Sequence, residues 1–310
     1  MSLAFVFPGQ GAQTIGMGRD LAQAYPEAAA VFEEVDNALG EKLSALIWEG
    51  EQETLTLTQN AQPALMAMSM AAVRALEAEG INVSDGAFVA GHSLGEYSAL
   101  CAAGALSISD ASRLLRKRGE AMQAAVPVGE GAMAAILGLD INAVNALAAE
   151  AAEGEVCEAA NDNDPAQVVI SGHKAAVERG AALAKERGAK RALMLPVSAP
   201  FHSALMGPAA EVMAEALAAT EMNDPVIPVV SNVRARPVSA ASEIVPLLVE
   251  QVTHSVRWRE SVQWMADEGG VASFWEVGAG KALTGMIRRI AREAETRAIS
   301  SPVDVAAAKD

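Results

Sequence analysis

A serine between two glycines, Gly91-His92-Ser93-Leu94-Gly95, stands where an apolar run, Ala87-Phe88-Val89-Ala90, meets a helix-like segment that opens Tyr97-Ser98-Ala99-Leu100. Strand, sharp turn and helix in that order make a nucleophile elbow, which projects the Ser93 Oγ into a cleft. The backbone N–H of Leu94 is then placed to donate to a developing oxyanion. The five-residue pattern alone is weak, because common residues compose it. Its flanks carry the assignment, and they commit the chain to a strand feeding a helix.

The rest of the chain alternates in the same way. Leu3 to Phe7 reads as a buried strand broken by Pro8-Gly9-Gln10-Gly11, and residues 17–39 show helical spacing that ends at Gly40. A second helix is predicted over residues 62–79, and a third from Ser109, read as its cap, to Ala125 before Pro127. This alternation predicts an α/β fold with a mainly parallel sheet.

Between residues 131 and 198 the pattern changes to six short elements: strand 132–138, helix 141–153, strands 155–160 and 167–172, helix 174–187 and strand 190–197. The order β-α-β-β-α-β is ferredoxin-like, with Asn161-Asp162-Asn163-Asp164-Pro165 read as the turn between its middle strands. After Pro200 the α/β pattern resumes, with helices 207–219, 243–253, 258–267 and 280–293 and strands 226–231 and 272–277. A small subdomain, residues 129–198, is therefore expected as an insertion in a larger one formed by residues 1–128 and 199–310.

Composition narrows the function classes. With 51% hydrophobic and 20% charged residues in 310, the chain has enough apolar material for a large core. A formal charge of −16 argues against nucleic acid and anionic membranes as partners. No apolar run approaches the roughly 20 residues that span a bilayer, and Met1-Ser2-Leu3-Ala4-Phe5-Val6 lacks the basic start of a signal peptide, so a soluble, cytoplasmic protein is expected. Cys101 and Cys157 have no partners at metal-ligand spacing. Gly9-Gln10-Gly11 lacks the rest of a dinucleotide fingerprint, so neither metal nor cofactor is expected. Three local basic clusters remain against the acidic background: Arg113, Arg116, Lys117 and Arg118; Arg187, Lys190 and Arg191; and Arg288, Arg289, Arg292 and Arg297. Each is either a solvated face or a site for an acidic partner.

Ser93 needs a base, and four histidines are available. His92 leaves the elbow in another direction, His173 ends a strand of the small subdomain, and His254 follows a helix. His202, in Ser198-Ala199-Pro200-Phe201-His202-Ser203, lies where the chain returns to the large subdomain and so reaches the rim of a cleft between the two parts.

Six blocks, taken together, resemble the malonyl-CoA:acyl carrier protein transacylases and the acyltransferase domains of fatty acid and polyketide synthases. They are Phe7 to Gln13, Gly91 to Tyr97, Arg118-Gly119 with Met122-Gln123, Asn161 to Gly172, Phe201 to Met206, and Glu276-Val277-Gly278. The resemblance implies an α/β-hydrolase-like core carrying the ferredoxin-like insertion, Ser93 as nucleophile and His202 as its base. It also implies an oxyanion hole from the backbone N–H groups of Gln10 and Leu94, with Arg118 binding the free malonyl carboxylate through its planar fork. Met122, four residues on, either lines the pocket beneath Arg118 or is simple core. Phe201 has the bulk of malonyl-selective members, in the space an α-methyl group would need. No acidic third member of a triad is evident; Gln251 resembles the position that orients the histidine with a carbonyl, and a carboxylate behind His202 would oppose malonyl binding.

The implied reaction moves malonyl from malonyl-CoA to the phosphopantetheine thiol of an acidic holo acyl carrier protein, with the enzyme expected as a monomer. A chain without attached synthase domains favours fatty acid over polyketide assembly. A serine hydrolase or thioesterase shares the elbow but leaves Arg118, Phe201 and the insertion without a role. A non-catalytic docking module leaves the nucleophile and base without one.

Overall fold

The protein was analysed as a computed structural model that describes residues 2–197 and 199–309. Met1, Asp310 and Ser198, the last residue of the expected small subdomain, lie outside the described residues. The strands in chain order are β1 (Ser2–Phe7), β2 (Phe88–Gly91), β3 (Gly131–Leu137), β4 (Cys157–Asp164), β5 (Gln167–His173), β6 (Arg191–Met194), β7 (Val229–Val230), β8 (Pro237–Val238), β9 (Val271–Val277) and β10 (Glu295–Ile299).

The larger sheet has the order β10-β9-β1-β2-β7-β8 and is parallel except for the β7–β8 pair. β1 is central and apolar along its length because both its faces are covered. Ala4 and Val6 pack with Ala90, Val230, Trp258 and Phe274 on one side, while Phe5 and Phe7 belong to the larger core on the other. That larger core is dominated by helix Thr58–Ala78, which is buried on almost every face and is accordingly rich in Ala and Met. The parallel strands β1, β2 and β9 end together, and Phe7 is the register partner of Gly91. Loops at the carboxyl ends of such strands are where an open α/β sheet places its ligand crevice.

The smaller sheet is antiparallel throughout, in the order β4-β5-β3-β6. With helices Ile141–Ala152 and Lys174–Glu186 on one face it has the ferredoxin-like arrangement. Its other face carries Met133, Ala135, Ala160 and Val169 against Leu195, Val197 and Phe201. That face looks toward the strand ends of the larger sheet.

Several elements differ from the sequence reading. Asn161 to Asp164 do not form a turn: β4 continues through them, leaving only Pro165 and Ala166 between the strands. Turn-forming residue types are held in a strand here because the larger unit takes their polar groups. Asp162 pairs with Arg259, Asp164 with Arg289, and Asn163 with His92, while Asp162 N donates to Val256 O and Val256 N to Ala160 O. Tertiary contacts outweigh local preference. The helix predicted over 17–39 breaks at Tyr25, and Pro26 opens a second helix at the position where a missing N–H costs nothing. Ser107 rather than Ser109 caps the third helix, accepting from Asp110 N at 3.0 Å, while the Ser109 hydroxyl donates to Glu34. Short helices Leu43–Glu49 and Gln52–Thr56, strand β10 and helix Pro302–Ala307 were not anticipated.

Candidate active site

The elbow is built by steric exclusion. A Cβ on Gly91 would lie 1.9 Å from the Gly95 carbonyl, and one on Gly95 would lie 2.3 Å from Phe7 O. Ser93 sits at φ 54°, a left-handed conformation that costs a non-glycine residue about 1–3 kcal/mol unless its surroundings enforce it. The enforcing group is Asn232: its Oδ1 accepts from Ser93 N at 2.8 Å and its Nδ2 donates to Gly91 O at 2.6 Å.

His202 meets Ser93 from the segment after the small sheet. Its Nε2 lies 2.7 Å from Ser93 Oγ and its Nδ1 lies 2.8 Å from Gln251 O. A main-chain carbonyl only accepts, so Nδ1 carries the hydrogen and Nε2 is left as the acceptor for the serine hydroxyl. Burial, and then the Arg118 charge, push the imidazole down to about 3. It is neutral, and able to accept a proton, throughout the physiological range. Of the other histidines, His92 Nε2 lies 2.8 Å from Asn163 Oδ1, His173 Nδ1 accepts from Val156 N, and His254 Nδ1 lies against Thr253 and Glu250 O.

The orienting carbonyl belongs to the Gln251 main chain, so the Gln251 side chain is free for other work. A Gln251→Glu substitution would leave the partner of His202 unchanged and bring a carboxylate against Arg118 instead.

Arg118, on helix Ile108–Ala124, is 1% exposed. Its Nη1 donates to Gln62 Oε1 at 2.7 Å, and its Nη2 to Gln251 Oε1 at 2.8 Å and to Ser93 Oγ at 3.2 Å. Its guanidinium lies over the Tyr97 ring, 5.7 Å from the centroid. Both oxygen partners from glutamine are neutral, so the buried cation is held in place without being ion-paired. Its buried Nε has no partner among the described residues.

A cavity of about 380 Å³ joins these groups, lined by Ser93, His202, Arg118, Met122 and Phe201 together with Leu195 to Val197. Met122 satisfies both readings left open by the sequence, since it is 1% exposed yet borders the cavity, with its Sδ 3.8 Å from Gln62 Nε2. Gln10 and Leu94 also border it. Neither backbone N–H donates within the protein among the described residues, whereas the neighbouring Gly11 N is taken by Gln13 Oε1. The Gln10 side chain anchors its loop by accepting from Thr58 Oγ1. The arrangement can take a proton from Ser93 Oγ, leave that oxygen to attack a carbonyl carbon, and offer two N–H groups to the oxygen that becomes charged.

Comparison with known proteins agrees with this chemistry. Residues 4–305 match the acyl transferase domain family. The chain belongs to that family. The acyl transferase is 50% identical over 301 residues to the malonyl CoA-acyl carrier protein transacylase of Bacillus subtilis, covering 97% of this chain and 94% of that one. It superposes with a TM-score of 0.97 on the acyl-carrier-protein-S-malonyltransferase of Bartonella henselae, at 53% identity over 99% of this chain and 98% of that one. A malonyl-transacylase solved with a type II PKS acyl-carrier protein matches with a TM-score of 0.96, at 43% identity over 99% of each chain.

Three residues that surround the acyl transferase site escaped the sequence reading: Gln62, Asn232 and Glu96. Gln62 follows Thr58, Gln59 and Asn60 at the polar start of its helix, so nothing in the sequence singles it out. Asn232 lies 139 residues from the serine it restrains, and nothing local marks it. Glu96 adjoins the elbow and is 3% exposed, and its burial raises the carboxyl to about 7. Among the described residues no group of His, Cys, Asp and Glu could hold a metal ion, and no helix is long and apolar enough to cross a membrane.

Proposed function

We propose that this acyl transferase moves the malonyl group of malonyl-CoA to the phosphopantetheine thiol of an acyl carrier protein for fatty acid synthesis, through a malonyl ester on Ser93. The observation that carries this reading is a buried guanidinium, held only by neutral amides, 3.2 Å from the nucleophilic oxygen. A malonyl group has one methylene between the carbonyl under attack and its free carboxylate, so a carboxylate-binding group must stand close to the nucleophile. The unpartnered Nε is a further donor for such an acceptor.

In this reading His202 Nε2 takes the Ser93 proton as Oγ attacks the thioester carbon. The tetrahedral oxyanion is met by the N–H groups of Gln10 and Leu94 and collapses with expulsion of the CoA sulfur, which receives the proton from His202. The carrier thiol then enters, gives its proton to His202 and attacks the ester; Ser93 leaves and recovers the proton. Phe201 and Met122 bound the acyl space. Hydrolase activity is the competing outcome, and it is separated by intact-protein mass after brief exposure to malonyl-CoA. A malonyl adduct that persists until holo carrier is added supports transfer; one that decays equally fast without carrier overturns it.

The pH dependence follows from the charge beside His202. An ordinary histidine would lose half its base form near pH ~6.5, but here burial and Arg118 both disfavour the imidazolium, so no such loss is expected. Removing the cation in Arg118→Met lets the imidazole pKa rise, which brings an acid limb upward. Single-turnover acylation by acetyl-CoA, a donor with no titrating carboxylate, should therefore fall at a higher pH in the variant than in the wild type. Identical acid limbs would contradict the coupling.

The basic cluster at Lys190 and Arg191 is the one best placed for the acidic carrier. In the first cluster Arg118 is buried and Arg113 and Arg116 are ion-paired; in the third Arg289 is paired to Asp164 and Arg297 lies over Trp275. Arg191 opens the edge strand β6, where Leu193 and Met194 are about half exposed, and the chain runs directly on into the cavity wall at Leu195. Replacing Lys190 and Arg191 with Ala should raise the carrier KM by about 5- to 30-fold at low salt, at about 0.5–1 kcal/mol per exposed contact, and leave acylation by malonyl-CoA unchanged. An unaltered carrier KM would eliminate this surface.

A further inference from the structure

We propose that Glu96 is a positioning residue for acyl-group selection: it fixes the orientation of the Gln251 side-chain amide, and through that amide the placement of Arg118. The inference rests on the reading of Arg118 as the carboxylate-binding group.

Gln251 is fully buried, and its amide stands between a cation and a carboxylate. Its Nε2 faces three oxygen atoms: Glu96 Oε2 at 2.7 Å, Ser93 O at 3.0 Å and Asn232 Oδ1 at 3.3 Å. Its Oε1 faces Arg118 Nη2 at 2.8 Å. Reversing the amide would set its oxygen against those three acceptors and its NH₂ against a guanidinium, which only donates. The orientation is therefore decided by the network, and Glu96 supplies its closest member. Glu96 is itself fixed by its position in the first turn of helix Gly95–Ala102 and by Asn232 N, which donates to the same Oε2 at 3.3 Å.

The interposed amide has a second effect. If the Glu96 carboxylate touched Arg118 directly, the buried pair would be neutral within itself, and an incoming carboxylate would meet a like charge. With Gln251 between them, Arg118 is held toward Ser93 by an amide oxygen and its charge stays available. Only an acceptor oxygen at position 96 is required for this, so glutamine can replace glutamate, whereas an apolar side chain of similar length cannot.

The test is single-turnover acylation of Ser93 by malonyl-CoA and by acetyl-CoA in wild type, Glu96→Gln, Glu96→Met and Arg118→Met, read by intact-protein mass. Glu96→Gln should keep the malonyl-to-acetyl rate ratio within about threefold of wild type, and Glu96→Met should lower it by about tenfold or more, as expected for loss of a hydrogen bond that orders a charged group. On a Gln251→Met background, Glu96→Met should change the ratio no further, because its effect passes through that amide. Equal losses for both donors, or a Glu96→Met effect that persists without Gln251, would overturn the proposal. Should Glu96→Met fail to fold, Glu96→Asp retains the charge but withdraws the acceptor by one methylene, and an unchanged ratio there would overturn it equally. A ratio that collapses in Arg118→Met but not in the Glu96 variants defeats this inference alone. A ratio unchanged in Arg118→Met defeats the underlying reading of the site.

Discussion

Ser93→Ala is expected to abolish the covalent malonyl adduct and to lower transfer to the carrier by at least about 10⁴-fold, the scale on which loss of an activated serine is felt. The loss should appear in turnover and not in donor binding, because Arg118 keeps its two shorter bonds to Gln62 and Gln251 when the 3.2 Å contact to the Ser93 hydroxyl is removed. Donor affinity, measured by calorimetry or by protection from thermal unfolding, should change by no more than a few fold. The elbow itself should survive, since its backbone is held by Asn232 and by the close approach of Gly91 and Gly95 rather than by Oγ. Retention of the malonyl adduct in Ser93→Ala would show that another group is acylated and would remove the basis of the proposed mechanism.

Arg118→Met should act on selectivity instead. Its donors would be lost to the free carboxylate, which would then be buried without a partner, a deficit of about 3–5 kcal/mol or roughly 10²- to 5 × 10³-fold in malonyl acylation. Acetyl-CoA has no carboxylate to lose contact, and it no longer strands a buried guanidinium, so its acylation rate should hold or rise. The informative quantity is the ratio of the two rates in single turnover. A variant in which both rates fall together would indicate that Arg118 serves the elbow and not the acyl group. Arg118→Lys should recover only part of the preference, because an ammonium cannot span Gln62, Gln251 and a carboxylate at once.

Much of this arrangement was readable in the sequence where local sterics or chain order dictate it. The flanked Gly-x-Ser-x-Gly run reads as a strand-to-helix turn, and the alternation of short elements carries the ferredoxin-like order. His202 was picked out by where the chain returns to the larger unit, and it lies against Ser93. What escaped was whatever depends on partners far along the chain. Asn161 to Asp164 have the composition of a turn, and partners far away in the chain, Arg259, Arg289, His92 and Val256, hold them as a strand. Gln62 and Asn232 are ordinary amides until the fold brings them to Arg118 and Ser93. The carbonyl that orients His202 was placed at Gln251 by the family resemblance alone, because it is a main-chain oxygen, which every residue possesses and no one-letter code distinguishes.

The polar end of β4 has a consequence for how two bulky thiols use one site. Asp162 and Asp164 are buried, and their partners Arg259 and Arg289 belong to helices packed on the larger sheet. Parting the two units would break both ion pairs and the backbone link through Val256 as well. These links tie the two units together beside the cleft and oppose its opening. Whatever reaches Ser93 must do so on a slender, extended stem, and the two thiols share one: the pantetheine arm that ends both coenzyme A and a loaded carrier. Donor and acceptor can then alternate in one passage, each leaving its large body outside.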